Sequence, residues 1–136
     1  QQHDVTACTD VTGFGLLGHL LEMVTASQVT VALTLQDLPL LSGARETLRQ
    51  GIVSSLQPQN LQAARSLQNA STYAGRPDYP ILFDPQTAGG LLATVPGDRA
   101  VDCVAHLRQL GYSAATCIGR VEMARQAESP ITIESW

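Results

Sequence analysis

Two stretches of this sequence have the residue types and spacing to do chemistry. The first is Thr9-Asp10-Val11-Thr12-Gly13-Phe14-Gly15-Leu16-Leu17-Gly18-His19, in which glycines spaced Gly-x-Gly-x-x-Gly stand at the start of an amphipathic helix. A helix N-terminus carries unpaired backbone N–H groups and a partial positive charge, so it is a ready anion site. Asp10, three residues before the first glycine, would repel a bound phosphate unless a cation lay between them. Magnesium is held by one or two carboxylates together with substrate phosphates, so the combination points to Asp10 as a Mg²⁺ ligand in front of the helix. One carboxylate does not hold the ion alone, and the other ligands must come from outside this chain or from a nucleotide.

The same stretch has two other readings. Taken literally it is a dinucleotide fingerprint, with Asp37 about 20 residues on to hold a ribose hydroxyl. That reading needs a buried strand before the glycines, and the preceding residues 6–12 are threonine-rich and carry Asp10. Alternatively the glycines only let the helix pack closely on a neighbour, which explains Gly18 but not Asp10 and Thr12 beside two further glycines.

The second stretch is Asp84-Pro85-Gln86-Thr87-Ala88-Gly89-Gly90, a loop between two apolar runs. Pro85 stiffens it, Gly89 and Gly90 let backbone amides turn toward a ligand or a neighbouring strand, and Asp84 and Thr87 offer polar tips. It reads equally as a tight turn in which Asp84 caps its own backbone. Elsewhere Cys8, Cys103 and Cys117 read as small buried hydrophobes. His19 could reach a phosphate or simply pack, His106 falls on a polar helix face, and His3 lies at a frayed end. No nucleophile elbow, paired-histidine motif or close pair of carboxylates is present. No motif marks a nucleophile in the chain.

The elements that must hold these stretches follow from periodicity. Leu16, Leu17, Leu20, Leu21 and Val24 line one face of a helix over 13–28. The β-branched run from Val29 to Leu35 predicts a strand ending near Asp37. Ser42 can cap a second helix that runs to about Gln50 and stops at Gly51. A third helix is predicted over 60–73, with Leu61, Ala64, Leu67 and Ala70 inward, followed by short strands over 79–83 and 91–95 on either side of the second motif. A helix over about 98–110, with Val101, Val104, Ala105 and Leu107 inward, a strand over 114–121 and a short strand over 131–133 complete the chain. Interleaved strands and helices indicate an α/β layered domain.

At 136 residues the chain is a single domain, and 44% hydrophobic residues suffice for its core. All eight basic residues are arginines. Without lysine there is no Schiff base and no P-loop lysine, so phosphate chemistry must use arginine, backbone amides or a metal. A net charge of −4 argues against nucleic acid as a partner. Three cysteines without a CxxC pair fit a reducing, cytoplasmic setting, and no apolar stretch is long enough for a membrane span. The start, Gln1-Gln2-His3-Asp4, is neither an initiator methionine nor a signal peptide and reads as the cut edge of a longer protein.

Read jointly and in this order, Thr9 to His19 and Asp84-Pro85-Gln86-Thr87-Ala88-Gly89-Gly90-Leu91-Leu92 closely resemble the C-terminal half of the selenophosphate synthetases (selenide, water dikinases). The likeness runs over essentially the whole chain and ends in Ile118-Gly119-Arg120-Val121, which resembles that family's last core strand. Ala88 departs from the family's more frequent serine. The resemblance implies the C-terminal domain of an aminoimidazole ribonucleotide synthetase-type enzyme, a three-layer α/β/α domain with a mixed β-sheet. It implies ATP as substrate, Mg²⁺, and conversion of ATP, selenide and water into selenophosphate, AMP and phosphate. The catalytic cysteine or selenocysteine, the lysine and most metal-binding aspartates would lie in an N-terminal ATP-binding domain, through which the full-length enzyme forms a homodimer. No catalytic residue is then expected in this chain, and the isolated domain should be inactive. By position, Asp10 matches the metal ligand contributed by this half, Thr12, Gly13 and Gly15 fall where the helix start faces the phosphates, and Asp84, Thr87, Gly89 and Gly90 lie near the same cleft. The two rival readings are an NAD-binding module and a non-catalytic assembly domain of the same fold.

Overall fold

The computed structural model describes residues 2–123 and 128–134. Its order is β1 (Ala7–Asp10), α1 (Gly15–Ser27), β2 (Thr30–Thr34), α2 (Ala44–Arg49), α3 (Gln57–Asn60), α4 (Ala70–Tyr73), β3 (Leu91–Thr94), α5 (Ala100–Gln109), β4 (Gly119–Glu122) and β5 (Ile131–Glu134), with 3₁₀ turns at Leu35–Asp37, Leu61–Ser66, Tyr79–Phe83 and Gly97–Arg99. None of the described helices is long and apolar enough to cross a membrane.

The β-branched run becomes β2, the middle strand of a three-stranded sheet ordered β4-β2-β5. β4 runs antiparallel to it, with Val31 opposite Val121, and β5 parallel, with Leu33 opposite Ile133. The sheet is therefore mixed and the domain α/β. All five residues of β2 are buried, so the strand is covered on both faces, as the middle layer of a stack must be. Leu17, Leu20 and Val24 of α1 join Val31, Leu33, Leu82, Phe83, Ile131 and Ile133 in one core. β1 and β3 form a separate antiparallel pair, with Thr9 opposite Leu92 and Asp10 opposite Leu91.

Several sequence expectations are corrected. Residues 79–83 form a 3₁₀ turn, not a strand: Pro80 sits at its start and Tyr79, Ile81, Leu82 and Phe83 are all buried. A short continuous apolar run lacks the alternation that separates strand from helix. The helix expected over 60–73 is broken. It starts earlier, at Gln57, tightens into the Leu61–Ser66 turn, and turns extended at Leu67, which bridges to Ile131 of β5. Asn69 completes that junction, its side chain giving to the Ile133 carbonyl at 2.7 Å and accepting from the Ile133 amide at 3.0 Å. Leu61 is exposed as a result.

On α5 the inward positions are Cys103, Val104, His106 and Leu107, while Val101 is 80% exposed and Ala105 is exposed. On this face His106 Nδ1 lies 2.9 Å from His3 Nε2, which ties the N-terminal segment to the helix. Cys8 and Cys117 are exposed and Cys103 half-buried, so the cysteines are not core hydrophobes. Ser42 does not cap α2; the N-cap is Gly43, whose carbonyl accepts from the Thr47 hydroxyl. The strand expected over 114–121 begins only at Gly119, and it is not the last core strand, since β5 follows and buries Ile131 and Ile133 almost completely.

Candidate functional site

Antiparallel pairing of β1 with β3 brings the two motifs together. The ladder extends past Asp10, with the Val11 amide donating to the Gly90 carbonyl at 2.9 Å, and the Gln86 amide donates to the Thr12 carbonyl at 3.0 Å. Residues 10–12 and 86–90 are thus one hydrogen-bonded unit. Alternation along β1 turns Thr9 inward with Leu92, and places Cys8 and Asp10 on the outer face with Ala93 and Leu91, all exposed. Leu91, beside Asp10, is 79% exposed.

Asp10 has no cationic partner among the described residues, and no group of three or more His, Cys, Asp or Glu side chains there could hold a metal by itself. An unpaired carboxylate at the mouth of a helix start fits a Mg²⁺ ion as one ligand among several. It does not make a metal site alone.

The helix is entered through a turn closed by the Gly15 amide giving to the Thr12 carbonyl at 3.0 Å. Gly13 is exposed with open space where a side chain would stand, whereas Gly15 is buried at φ +69°. A Cβ on Gly15 would lie 2.9 Å from the Phe83 carbonyl carbon and 3.1 Å from the Asp84 carbonyl oxygen. Gly15 is therefore there for close approach of α1 to the Tyr79–Phe83 turn. Gly89 is similar: a Cβ there would collide with the Val11 carbonyl oxygen, while Gly90 has open space. Of the motif glycines, Gly13 and Gly90 face outward, and Gly15 and Gly89 seat the backbone behind them.

In the 84–90 loop, Asp84 does not cap its own backbone. Its carboxylate accepts from the Gln86 side-chain amide at 3.0 Å, and partial burial raises its pKa while that hydrogen bond opposes the rise. A carboxyl whose folded pKa lies above its unfolded value contributes stability at pH below the unfolded value and loses it as pH rises through the folded one. Asp84→Asn, which still accepts from Gln86, should flatten this acid-side loss; matched thermal melts from pH 3 to pH 7 would show the variant gaining on the parent as pH rises. Thr87 is exposed at the loop tip.

Sequence reasoning passed over Asn60. Its side-chain amide donates to the Gly13 carbonyl at 2.9 Å and to the Phe83 carbonyl at 3.0 Å, so it ties the first motif to the segment leading into the second. Nothing in its local sequence marks this, because both partners lie far along the chain. Asn60→Ala removes two hydrogen bonds worth about 1 kcal/mol each and should lower unfolding free energy by roughly 1–2 kcal/mol in urea titration. His19 is also part of the site: it is buried, with Nε2 3.0 Å from the Thr12 hydroxyl.

The dinucleotide reading fails on topology. Its β-strand, glycine turn, helix and second strand must form a parallel βαβ unit. Here β1 pairs antiparallel with β3, and β2 lies in the other sheet. Asp37 is exposed in the Leu35–Asp37 turn. A depression of about 300 Å³ lined by Leu40, Leu41, Gly43, Arg45, Glu46 and Arg49 involves neither motif.

The chain is 36% identical over 132 residues to selenide, water dikinase 2 of Peptoclostridium acidaminophilum, covering 96% of this chain and 37% of the relative. It is 36% identical over 121 residues to selenide, water dikinase of Clostridioides difficile strain 630, covering 89% and 35%. To the selenide, water dikinase of Geobacter sp. strain M21 it is 41% identical over 119 residues, covering 88% and 34%. The chain thus spans about a third of the length of the curated relatives it matches. Residues 1–129 match the family described as AIR synthase related protein, C-terminal domain, and this chain belongs to that family.

Proposed function

We propose that this chain is the C-terminal domain of a selenophosphate synthetase and supplies one wall of its Mg-ATP cleft, for the reaction of ATP, selenide and water to selenophosphate, AMP and phosphate. The observation that carries the reading is the hydrogen-bonded unit of the two motifs, with the unpaired Asp10 carboxylate and the open Gly13 at one edge. The relatives' names supply the substrate class. In this reading Asp10 is a metal ligand, Thr12 and Gly13 face the nucleotide's phosphates or their cation, and Asp84, Thr87 and Gly90 border the same cleft. Gly15 and Gly89 shape it from behind. The bound Mg²⁺ would supply charge neutralisation to the phosphoryl groups, while this chain's part is to orient them.

The exposed strip of Leu91, Ala93 and Cys8 around Asp10 supports an N-terminal domain packed on this face, where a lysine, absent from this chain, and the catalytic nucleophile would enter. The full-length enzyme is proposed to be a homodimer, and cytoplasmic, which suits free thiols at Cys8, Cys103 and Cys117. The test is phosphorus NMR of the full-length protein with ATP and Mg²⁺, with and without selenide. A selenophosphate resonance and AMP that both require selenide support the assignment; ATP turnover indifferent to selenide, or none, refutes it.

A further inference from the structure

Thr12, His19 and Glu22 stand in line, and the match to the family does not say why. The His19 side chain is 9% exposed; Nε2 lies 3.0 Å from the Thr12 Oγ1, and Nδ1 lies 3.3 Å from a Glu22 carboxylate oxygen. The Nδ1 contact is close enough for attraction but off the direction of a good hydrogen bond, so this buried nitrogen has no other partner among the described residues. The Phe14 ring packs tilted against the imidazole, centroids 5.5 Å apart, and its Cβ stands where a side chain at Gly18 would begin.

A neutral imidazole has one N–H and one lone pair. A lone pair on Nδ1 would lie 3.3 Å from the Glu22 carboxylate charge and be repelled by it even off the hydrogen-bond direction, which favours the proton on Nδ1. Nε2 is then an acceptor, and the Thr12 hydroxyl must donate to it. With its proton committed inward, Thr12 Oγ1 has only lone pairs left to offer outward. A phosphate oxygen needs a donor and a cation needs an electron pair.

We propose that Glu22 and His19 are positioning residues that orient the Thr12 hydroxyl as an electron-pair donor, which places Thr12 with Asp10 on the cation's side of the cleft and not among the donors to phosphate. This rests on the function proposed above, and deepens it by assigning Thr12 its role. The same orientation accounts for Glu22, one turn beyond His19, which the motif reading left unused.

The direct test reads the tautomer in the full-length protein by two-bond proton–nitrogen correlation on labelled histidine. A His19 ring protonated at Nδ1 alone at pH 7.5 supports the proposal; a ring protonated at Nε2, or at both nitrogens, overturns it. In the full-length enzyme, His19→Leu should raise the apparent KM for Mg²⁺ about tenfold, as loss of a group that orients a ligand does, with a smaller change in kcat. His19→Gln, whose side-chain oxygen can replace Nε2 as acceptor, should recover most of that loss. A folded His19→Leu enzyme with unchanged KM for Mg²⁺ overturns the proposal, and if that variant does not fold the tautomer decides alone. Absence of selenide-dependent turnover in the parent enzyme would sink the proposed function and leave the orientation of Thr12 to be settled by the tautomer.

Discussion

Asp10→Asn in the full-length enzyme should lower selenophosphate formation by at least about 100-fold, because a ligand that places a metal charge on transferring phosphoryl groups is worth several kcal/mol and each 1.36 kcal/mol is about tenfold. Asparagine keeps the shape and removes the charge. The fold should not notice: Asp10 is exposed on the outer face of β1, and its carboxylate contacts no cation among the described residues. Surface substitutions of this kind shift stability by within about 0.5 kcal/mol. Steady-state kinetics at saturating ATP, run beside a urea titration, separate the two quantities. Loss of rate with unchanged midpoint is the expected pair, and near-normal turnover would remove Asp10 from the metal site.

Phe83→Ala should have the largest effect on the fold, a loss of roughly 3–5 kcal/mol, which is what removing a buried aromatic side chain costs through lost transfer energy and the cavity left behind. Phe83 is fully buried, its ring packs edge-on against Tyr79 at 5.1 Å, and its turn is what α1 presses against through Gly15. Set against a total stability of about 5–15 kcal/mol, that loss leaves the domain marginal at best. Guanidinium titration would measure it. A change below about 1 kcal/mol would mean that the Tyr79–Phe83 turn is not part of the core.

The elements most legible in the sequence are those whose burial pattern is local. β2 declares itself by a β-branched run, and α1 by leucines at helical intervals that become Leu17, Leu20 and Val24 in the core. The 79–83 run was illegible because burial of almost every residue erases periodicity: four apolar residues around Pro80 satisfy strand and 3₁₀ turn alike. The break after Ser66 depends on Leu67 and Asn69 pairing with β5, a partner far along the chain that no local propensity reports. β1 went unread because half of its short length faces outward, and its Thr9 and Asp10 look like loop chemistry.

The candidate site shows the same division. Asp10, Thr12 and Gly13 stand out because an acid beside a glycine-rich helix start is chemically conspicuous. The glycines look alike in sequence, yet Gly15 and Gly89 are fixed by backbone approach and Gly13 and Gly90 stay open, a distinction made by Phe83 and Val11 rather than by the motif. Asn60 and Glu22 were invisible for a related reason, since one acts across the fold and the other through His19.

The most direct test of the central claim, that the joined motifs form the metal-nucleotide wall of the cleft, is paramagnetic broadening by Mn²⁺·ATP in full-length enzyme with this domain labelled. The amides of Asp10, Thr12, Gly13, Thr87 and Gly90 should broaden first and recover when excess Mg²⁺·ATP displaces the manganese. Unbroadened amides at these positions, with broadening instead around the Leu40 to Arg49 depression or nowhere in the domain, would contradict the account.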